Sequence, residues 1–316
     1  MVKLLRFLLI ITIFITTACA DKQFRKREYR PDKNQKIWNG AFQIEKNGDT
    51  QKSAEEYKKL CYENKYPRGC YDYTRVLFKL NQNDKAVEES IKFVGSYPDE
   101  TLVQPAVKRL TRFFTATEKY DQAIEVLNKL EKLTFNKEAY SSVIYQKANV
   151  YKQQNSYDNE KRELYKIIAL DRWGSTLWDN SMWRLINIEN ELQNSLKEIE
   201  LIKQFLSAIE SSKLIGSYNS SYFDNALLRL GNIYLENDKL DDAYKSFMEL
   251  SSWSSSSLAD DALLEAAKIE KLQNKLDKSC NTLEEIITRY SKTVIEKKAK
   301  QLFIEWNCPK MAGKSS

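Results

Sequence analysis

Five cysteines, adjacent pairs of carboxylates and one serine-rich run are the residues here whose types could do covalent or acid–base chemistry. The cysteines are Cys19, Cys61, Cys70, Cys280 and Cys308. Among the acid pairs are Asp241-Asp242, Asp260-Asp261 and Glu284-Glu285, and the serines of 251–257 flank Trp253. The sequence contains no histidine. No serine or cysteine can therefore have an imidazole base, and no zinc can have a histidine ligand. Paired carboxylates can serve as the acid and base of a glycosidase. Acids at helix starts are better explained by the partial positive charge of the helix N-terminus. With eight glycines there is no phosphate-cradling loop, and Gly313-Lys314-Ser315 lacks both the upstream glycine (Cys308 stands there) and a following helix. The last four cysteines are separated by 8, 209 and 27 residues, which fits no zinc pattern and no C-x-x-C redox motif. These observations lead us to expect no catalytic residue, metal or cofactor.

The elements that would position these residues follow from composition and period. The chain has 316 residues, 42% of them hydrophobic and 30% charged, with only eight Gly and five Pro. That balance supports a helical chain with a real core. A turn motif recurs with a spacing of 37 residues: Asn83-Asp84-Lys85-Ala86, Lys119-Tyr120-Asp121-Gln122-Ala123, Ser156-Tyr157-Asp158-Asn159-Glu160 and Lys239-Leu240-Asp241-Asp242-Ala243, then Lys275-Leu276-Asp277-Lys278-Ser279-Cys280. The pattern suggests that the Asp caps the second helix of each hairpin and that a small residue lets two helices approach. Glu160 departs from the small-residue rule. The interval from Glu160 to Ala243 exceeds two periods by nine residues, which points to an insertion in the Ser/Gly/Asn-rich stretch 211–221. One hairpin cannot bury its own apolar face, so neighbours must stack.

Leu227, Leu230-Gly231, Tyr234, Ala243, Phe247 and Leu250 give residues 224–257 their resemblance to a tetratricopeptide repeat, and Tyr97-Pro98 closes another hairpin in that family's manner. The resemblance implies an all-α, right-handed solenoid. The expected hairpins are 36–64, 67–96, 101–132, 136–171, 175–211, 219–251 and 256–290. A capping helix near 294–307 would expose Lys297, Lys298 and Lys300. Repeats of this length in a lipoprotein also resemble the BamD type of outer-membrane assembly lipoprotein. Residues 219–308 resemble the repeat domain of the CpoB type of division coordinator.

The amino terminus carries its own resemblance. Lys3 and Arg6 precede the apolar run 7–15, too short to span a bilayer, which takes about 20 residues. Thr16-Thr17-Ala18-Cys19 then resembles the lipobox of bacterial lipoproteins. The resemblance implies a signal peptide over 1–18, acylation at Cys19, a lipid-anchored basic tether over 19–35, a repeat domain over 36–308 and a tail over 309–316. Outer-membrane sorting facing the periplasm is the expected location. Residues 21–36 carry seven Lys/Arg against three acids, a net +4 that equals the net charge from Cys19 onward. The body is thus neutral, which argues against a nucleic-acid partner.

Export permits disulfides. Four cysteines allow three connectivities. We expect Cys61–Cys70 across a turn containing Pro67 and Gly69, and Cys280–Cys308 across the last two helices.

In tetratricopeptide folds the first helix of each hairpin lines a groove. Carried over by resemblance, the groove positions are Arg68, Tyr71, Arg75 and Lys79, then Lys108 and Arg112, then Tyr145, Asn149 and Lys152. Cations among tyrosines would grip an acidic or carboxylate-ended segment. Trp173, Trp178 and Trp183, spaced by five, do not share one helix face and are expected to fill the core or the joint where the period breaks. The expected function is an envelope scaffold and not an enzyme. Its partners would be the β-barrel assembly machinery or, alternatively, Tol–Pal and peptidoglycan-synthesis components. A peptidoglycan-acting enzyme is the remote third reading.

Overall fold

The computed structural model describes residues 32–134, 136–170, 176–215, 222–253 and 256–309. Among the described residues there are fifteen α-helices and no strand. They are α1 Lys33–Lys46, α2 Thr50–Tyr62, α3 Pro67–Lys79, α4 Asn83–Ser96, α5 Val103–Ala116, α6 Tyr120–Leu133, α7 Lys137–Gln153, α8 Tyr157–Leu170, α9 Thr176–Glu191, α10 Ser195–Ile215, α11 Phe223–Glu236, α12 Leu240–Ser251, α13 Ala259–Leu272, α14 Leu276–Arg289 and α15 Val294–Glu305. The chain divides into two compact units, one ending at Glu89 and one beginning at Ser90. The expected signal segment, Cys19, the tether up to residue 31, Trp173 and the tail beyond residue 309 lie outside the described residues.

Pairing consecutive helices gives seven hairpins, with α15 left over. Every hairpin turn is built alike. The residue two before the second helix has a left-handed backbone: Gly48, Asn81, Glu118, Asn155, Gln193, Asp238 and Asn274. Only Gly48 is a glycine; the other six lie at φ 53 to 60°. The next N–H in each turn donates back to the carbonyl five residues earlier, as in Lys119 to Phe114 (2.9 Å) and Lys239 to Tyr234 (2.8 Å). The left-handed residue's own N–H donates three residues back, as in Glu118 to Thr115 (3.2 Å). This double closure is the Schellman arrangement, which satisfies the orphan carbonyls of the first helix.

The turn corrects one expectation. The Asp of the repeated motif is not the N-cap. Lys119, Lys239 and Lys275 hold the cap position without a side-chain cap bond, and Asp121, Asp241 and Asp277 lie within the first helical turn. There they act through the helix dipole. Two boundaries also differ from the sequence reading. Helix α1 begins at Lys33, inside the expected tether, because Asp32 accepts a hydrogen bond from the Gln35 N–H at 2.7 Å. Helix α10 runs to Ile215, so residues 211–215 of the expected loop are helical.

The fourth residue of each second helix is buried. Ser53, Ala86, Ala123, Ala243 and Ser279 are small there, and all are fully buried. Glu160 in α8 and Glu198 in α10 occupy the same place and are equally buried. Each is clamped by an arginine of the next hairpin. Arg184 Nε and Nη2 donate to the two oxygens of Glu160 at 2.7 and 3.0 Å, and Arg229 Nε donates to Glu198 at 2.8 Å. A paired, hydrogen-bonded ion pair replaces the small residue, and this accounts for the departure at Glu160.

In the first unit Tyr57, Leu60, Val76 and Leu77 are fully buried around Ala41 and Ala86. Burying one such leucine contributes about 1.5–3 kcal/mol. Helices α2 and α3 meet closely: a Cβ on Gly69 would lie 2.5 Å from Leu60 Cβ. Cys61 and Cys70 are bonded there, with Cα atoms 4.4 Å apart. In the second unit one large core runs from Ala148 to Ile269, and a smaller one seats α15 through Ile295 and Ala299 on Leu263, Leu283 and Ile286. Cys280 and Cys308 are bonded, with Cα atoms 5.6 Å apart, and tie the end of α15 to α14. Lys297, Lys298 and Lys300 are exposed on α15.

Candidate partner-binding faces

The common turn gives the first helices one register. Ten residues before the left-handed residue stand Trp38, Tyr71, Lys108, Tyr145, Trp183, Leu228 and Leu264. Six before it stand Phe42, Arg75, Arg112, Asn149, Asn187, Asn232 and Lys268. These two rows are half-buried or exposed apart from Leu264, while the residues seven before the turn, from Ala41 to Ala267, are buried in every hairpin. A binding face must therefore be sought on them.

In the first unit the face is already occupied by its own carboxylates. Asp72 and Glu45 are buried, at 3% and 8% exposure. Arg75 donates from Nη1 and Nη2 to the two oxygens of Glu45 at 2.7 and 2.5 Å, and from Nε to Asp72 at 2.8 Å. Arg68 and the indole of Trp38 both donate to the other Asp72 oxygen, at 2.9 and 2.8 Å. Lys79 reaches Glu45 at 3.4 Å. The Arg68 guanidinium also lies 4.9 Å over the Trp38 ring, which stacks on Phe42. The Arg75 hydrogen bonds hold the Glu45 carboxyl below its ordinary range against the opposing effect of burial. Arg68, Arg75 and Lys79, expected to await an acidic partner, are each paired with Asp72 or Glu45.

The second unit differs. Lys108 and Arg112 on α5 and Lys152 on α7 are exposed and make no ion pair among the described residues. Helix α5 packs beside α7. Tyr145 and Asn149, half-buried, share the α7 face with Lys152, and Asn149 has only a 3.5 Å contact to Gln146. Burial raises the Tyr145 phenol above its ordinary range. The same rows continue on α9 and α11. Trp183 stacks on Tyr222 with ring centroids 5.4 Å apart, and Tyr222 donates to Asn180 at 2.9 Å. Trp178, by contrast, is a core residue packed on Phe205.

One feature of these rows was not recognised in the sequence. Helices α9 and α11 share the run Asp-Asn-x-x-x-Arg-Leu-x-Asn-Ile, as Asp179 to Ile188 and Asp224 to Ile233, 45 residues apart. It places Asn187 and Asn232 at equivalent positions on the open face. The 37-residue register hid it because α10, with 21 residues, is the longest helix and displaces α11.

The acid pairs lie on helices. Asp241 and Asp242 are exposed in the first turn of α12. Asp260 is buried, and Asp261 is raised above the usual carboxylate range by burial and by Asp260 beside it. Among the described residues no group of His, Cys, Asp or Glu could hold a metal ion.

Two family models, both described as Tetratricopeptide repeat, match residues 224–257 and 261–293. No curated protein matches the chain. Among solved structures, BtubC from P. vanneervenii is 13% identical, with 74% of this chain and 92% of that one covered and a TM-score of 0.45. YrrB, a TPR protein with an unusual peptide-binding site, is 15% identical over 69% of this chain and 97% of its own, with a TM-score of 0.41. MamA is 14% identical over 63% and 94%, also at 0.41. Likeness this distant carries no inference about function. The chain is an all-α tetratricopeptide-like repeat protein, and repeats of this kind are scaffolds for binding other proteins.

Proposed function

We propose that this protein is a lipid-anchored scaffold of the bacterial envelope, tethered through Cys19, which grips an acidic segment of a partner protein on the open face of α5 and α7. The observation that carries this reading is the contrast in charge satisfaction. Lys108 and Arg112 make no ion pair among the described residues and Lys152 acts on Glu191 only at a distance, whereas Arg68, Arg75, Lys79, Arg184 and Arg229 are all paired. Unpaired cations beside Tyr145 and Asn149 suit a carboxylate-bearing chain. The lipobox-like run and the BamD-like repeat length favour β-barrel assembly as the setting.

The test is in-cell crosslinking from a photoreactive residue at position 105, next to Lys108, followed by mass spectrometry, with a palmitate analogue reporting lipidation. Recovery of β-barrel assembly components, lost on Lys108→Glu/Arg112→Glu, supports the reading. Tol–Pal proteins or peptidoglycan synthases would move it to the CpoB-like role. Lack of label on Cys19 would remove the anchor.

A further inference from the structure

We infer that the Cys280–Cys308 disulfide is a redox latch: opened by a dithiol, it lets the second half of α15 leave the last hairpin and bares an apolar surface there. The inference stands apart from the face of α5 and α7.

The two disulfides fasten different things. Each ties a helix to the hairpin before it. Cys70 of α3 is bonded to Cys61 of α2, and Cys308, just past α15, is bonded to Cys280 of α14. The first joint is also braced by other contacts. Gly69 brings α3 against Leu60. Asn64 donates to Asn34 at 2.9 Å and Tyr66 donates to Gln35 at 3.1 Å, which fixes the α2–α3 turn on α1. Opening Cys61–Cys70 leaves all of these in place.

The second joint has little besides its disulfide. Helix α15 packs on α13 and α14. Its buried apolar residues, Ile295 and Ala299, both lie in its first half. Beyond them Leu302, Phe303, Trp306 and Cys308 are only half-buried, and Ile304 is 76% exposed. The polar bonds of the helix are local. Thr293 accepts from the Glu296 N–H at 3.0 Å, and Glu296 accepts from the Lys292 N–H at 3.0 Å and pairs with Lys300 at 2.6 Å. Among the described residues no side-chain hydrogen bond or ion pair of α15 reaches an earlier helix. The second half is held by three half-buried side chains, by Lys271 lying 5.7 Å over the Trp306 ring, and by the covalent bond.

The two sulfurs differ in access. Cys280 is buried and Cys308 is half-buried. Access decides which sulfur a thiolate attacks. One thiolate of a dithiol bonds to Cys308 Sγ and the S–S bond breaks. The electron pair leaves with Cys280 Sγ, which takes up a proton because burial disfavours its thiolate. The second thiolate of the dithiol then displaces Cys308 from the mixed disulfide. The dithiol ends as a disulfide, and two electrons and two protons have passed to the two cysteines. A disulfide oxidant reverses the exchange and refastens the helix.

Release has a consequence because of what α15 covers. Leu263, Leu264 and Ala267 of α13 and Leu283 and Ile286 of α14 form the core beneath it. Within a repeat array such surface is taken up by the next hairpin. Here a single helix takes it up, at the end of the array. Terminal elements open first, and a bond between cysteines 28 residues apart removes that freedom.

The test uses the full chain, purified oxidised, with dithiothreitol as the dithiol. Differential alkylation with mass spectrometry reads which cysteines have opened, and hydrogen exchange reads the helices. Cys280 and Cys308 are expected to open at a dithiothreitol concentration that leaves α9 to α12 protected, while exchange over residues 300–305 rises by about 100-fold. Cys280→Ser/Cys308→Ser should show the same rise without reagent, and Cys61→Ser/Cys70→Ser should leave α15 unchanged. If the serine pair does not fold, the reduced unmutated chain carries the test. Protection of α15 that survives opening of the disulfide overturns the latch. Loss of protection in α9 to α12 together with α15 makes the bond a staple of the whole unit and also overturns it. Cysteines that resist dithiothreitol until urea unfolds the chain overturn the exchange step and the latch with it.

Discussion

Arg75 and Arg112 stand at the same position of two successive hairpins, six residues before the turn, and their surroundings are opposite. Arg75 spends its donors on Glu45 and Asp72. For Arg112 the carboxylate on its own helix has been exchanged: Arg109 takes the position of Asp72. One repeat turned its cation inward as structure, and the next left it in solvent. A basic residue on a repeat face thus says little by itself. What decides its role is whether the same register supplies a carboxylate three or four residues away and another across the joint.

The largest effect should come from reversing the two charges. Arg75→Glu sets a third carboxylate against two buried ones, and breaking such a pair costs about 3–5 kcal/mol. The first unit should lose cooperative unfolding in urea. Arg112→Glu should stay within about 0.5 kcal/mol of the unmutated protein. Equal losses would erase the distinction. Next comes Glu160→Ala, which leaves Arg184 at 15% side-chain exposure without its main partner. A loss of about 3 kcal/mol is expected, with Glu160→Ala/Arg184→Leu recovering most of it. A double-mutant cycle without coupling would show that the joint needs only bulk.

Acid sharpens the comparison further. Glu45 titrates below its ordinary value in the folded chain, chiefly through its hydrogen bonds from Arg75. Its contribution is therefore fully present above the unfolded carboxylate pKa of about 4.3 and is lost as pH falls through the lower folded value. The first unit should weaken in that window, and Glu45→Gln should flatten the loss when melting is followed against pH. The smallest effect is Asn187→Ala alone, expected to stabilise by about 0.5 kcal/mol. Destabilisation in calorimetry would mean that the amide serves the fold.

Much of the architecture was legible in the sequence because it is local. The 37-residue recurrence, the apolar spacing and the turn residues place seven hairpins and a last helix within a few residues. The turn chemistry was only half legible. Lys119 holds the cap position and Asp121 the first turn, and sequence alone does not separate these adjacent places. The groove positions carried over by resemblance are half-buried or exposed in the structure, but which of them are already paired was not legible.

The sequence by itself determined the helical repeat, since period and propensity act between residues a few positions apart. It also limited the chemistry, since a chain without histidine or a phosphate loop lacks those catalytic parts. Tertiary structure decided which charges are spent. Glu45 lies 30 residues from Arg75, Glu160 lies 24 from Arg184 and Glu198 lies 31 from Arg229. The ion pairs that silence one face and leave another open form only when separate helices pack, because a carboxylate binds a guanidinium through space and burial fixes the distance.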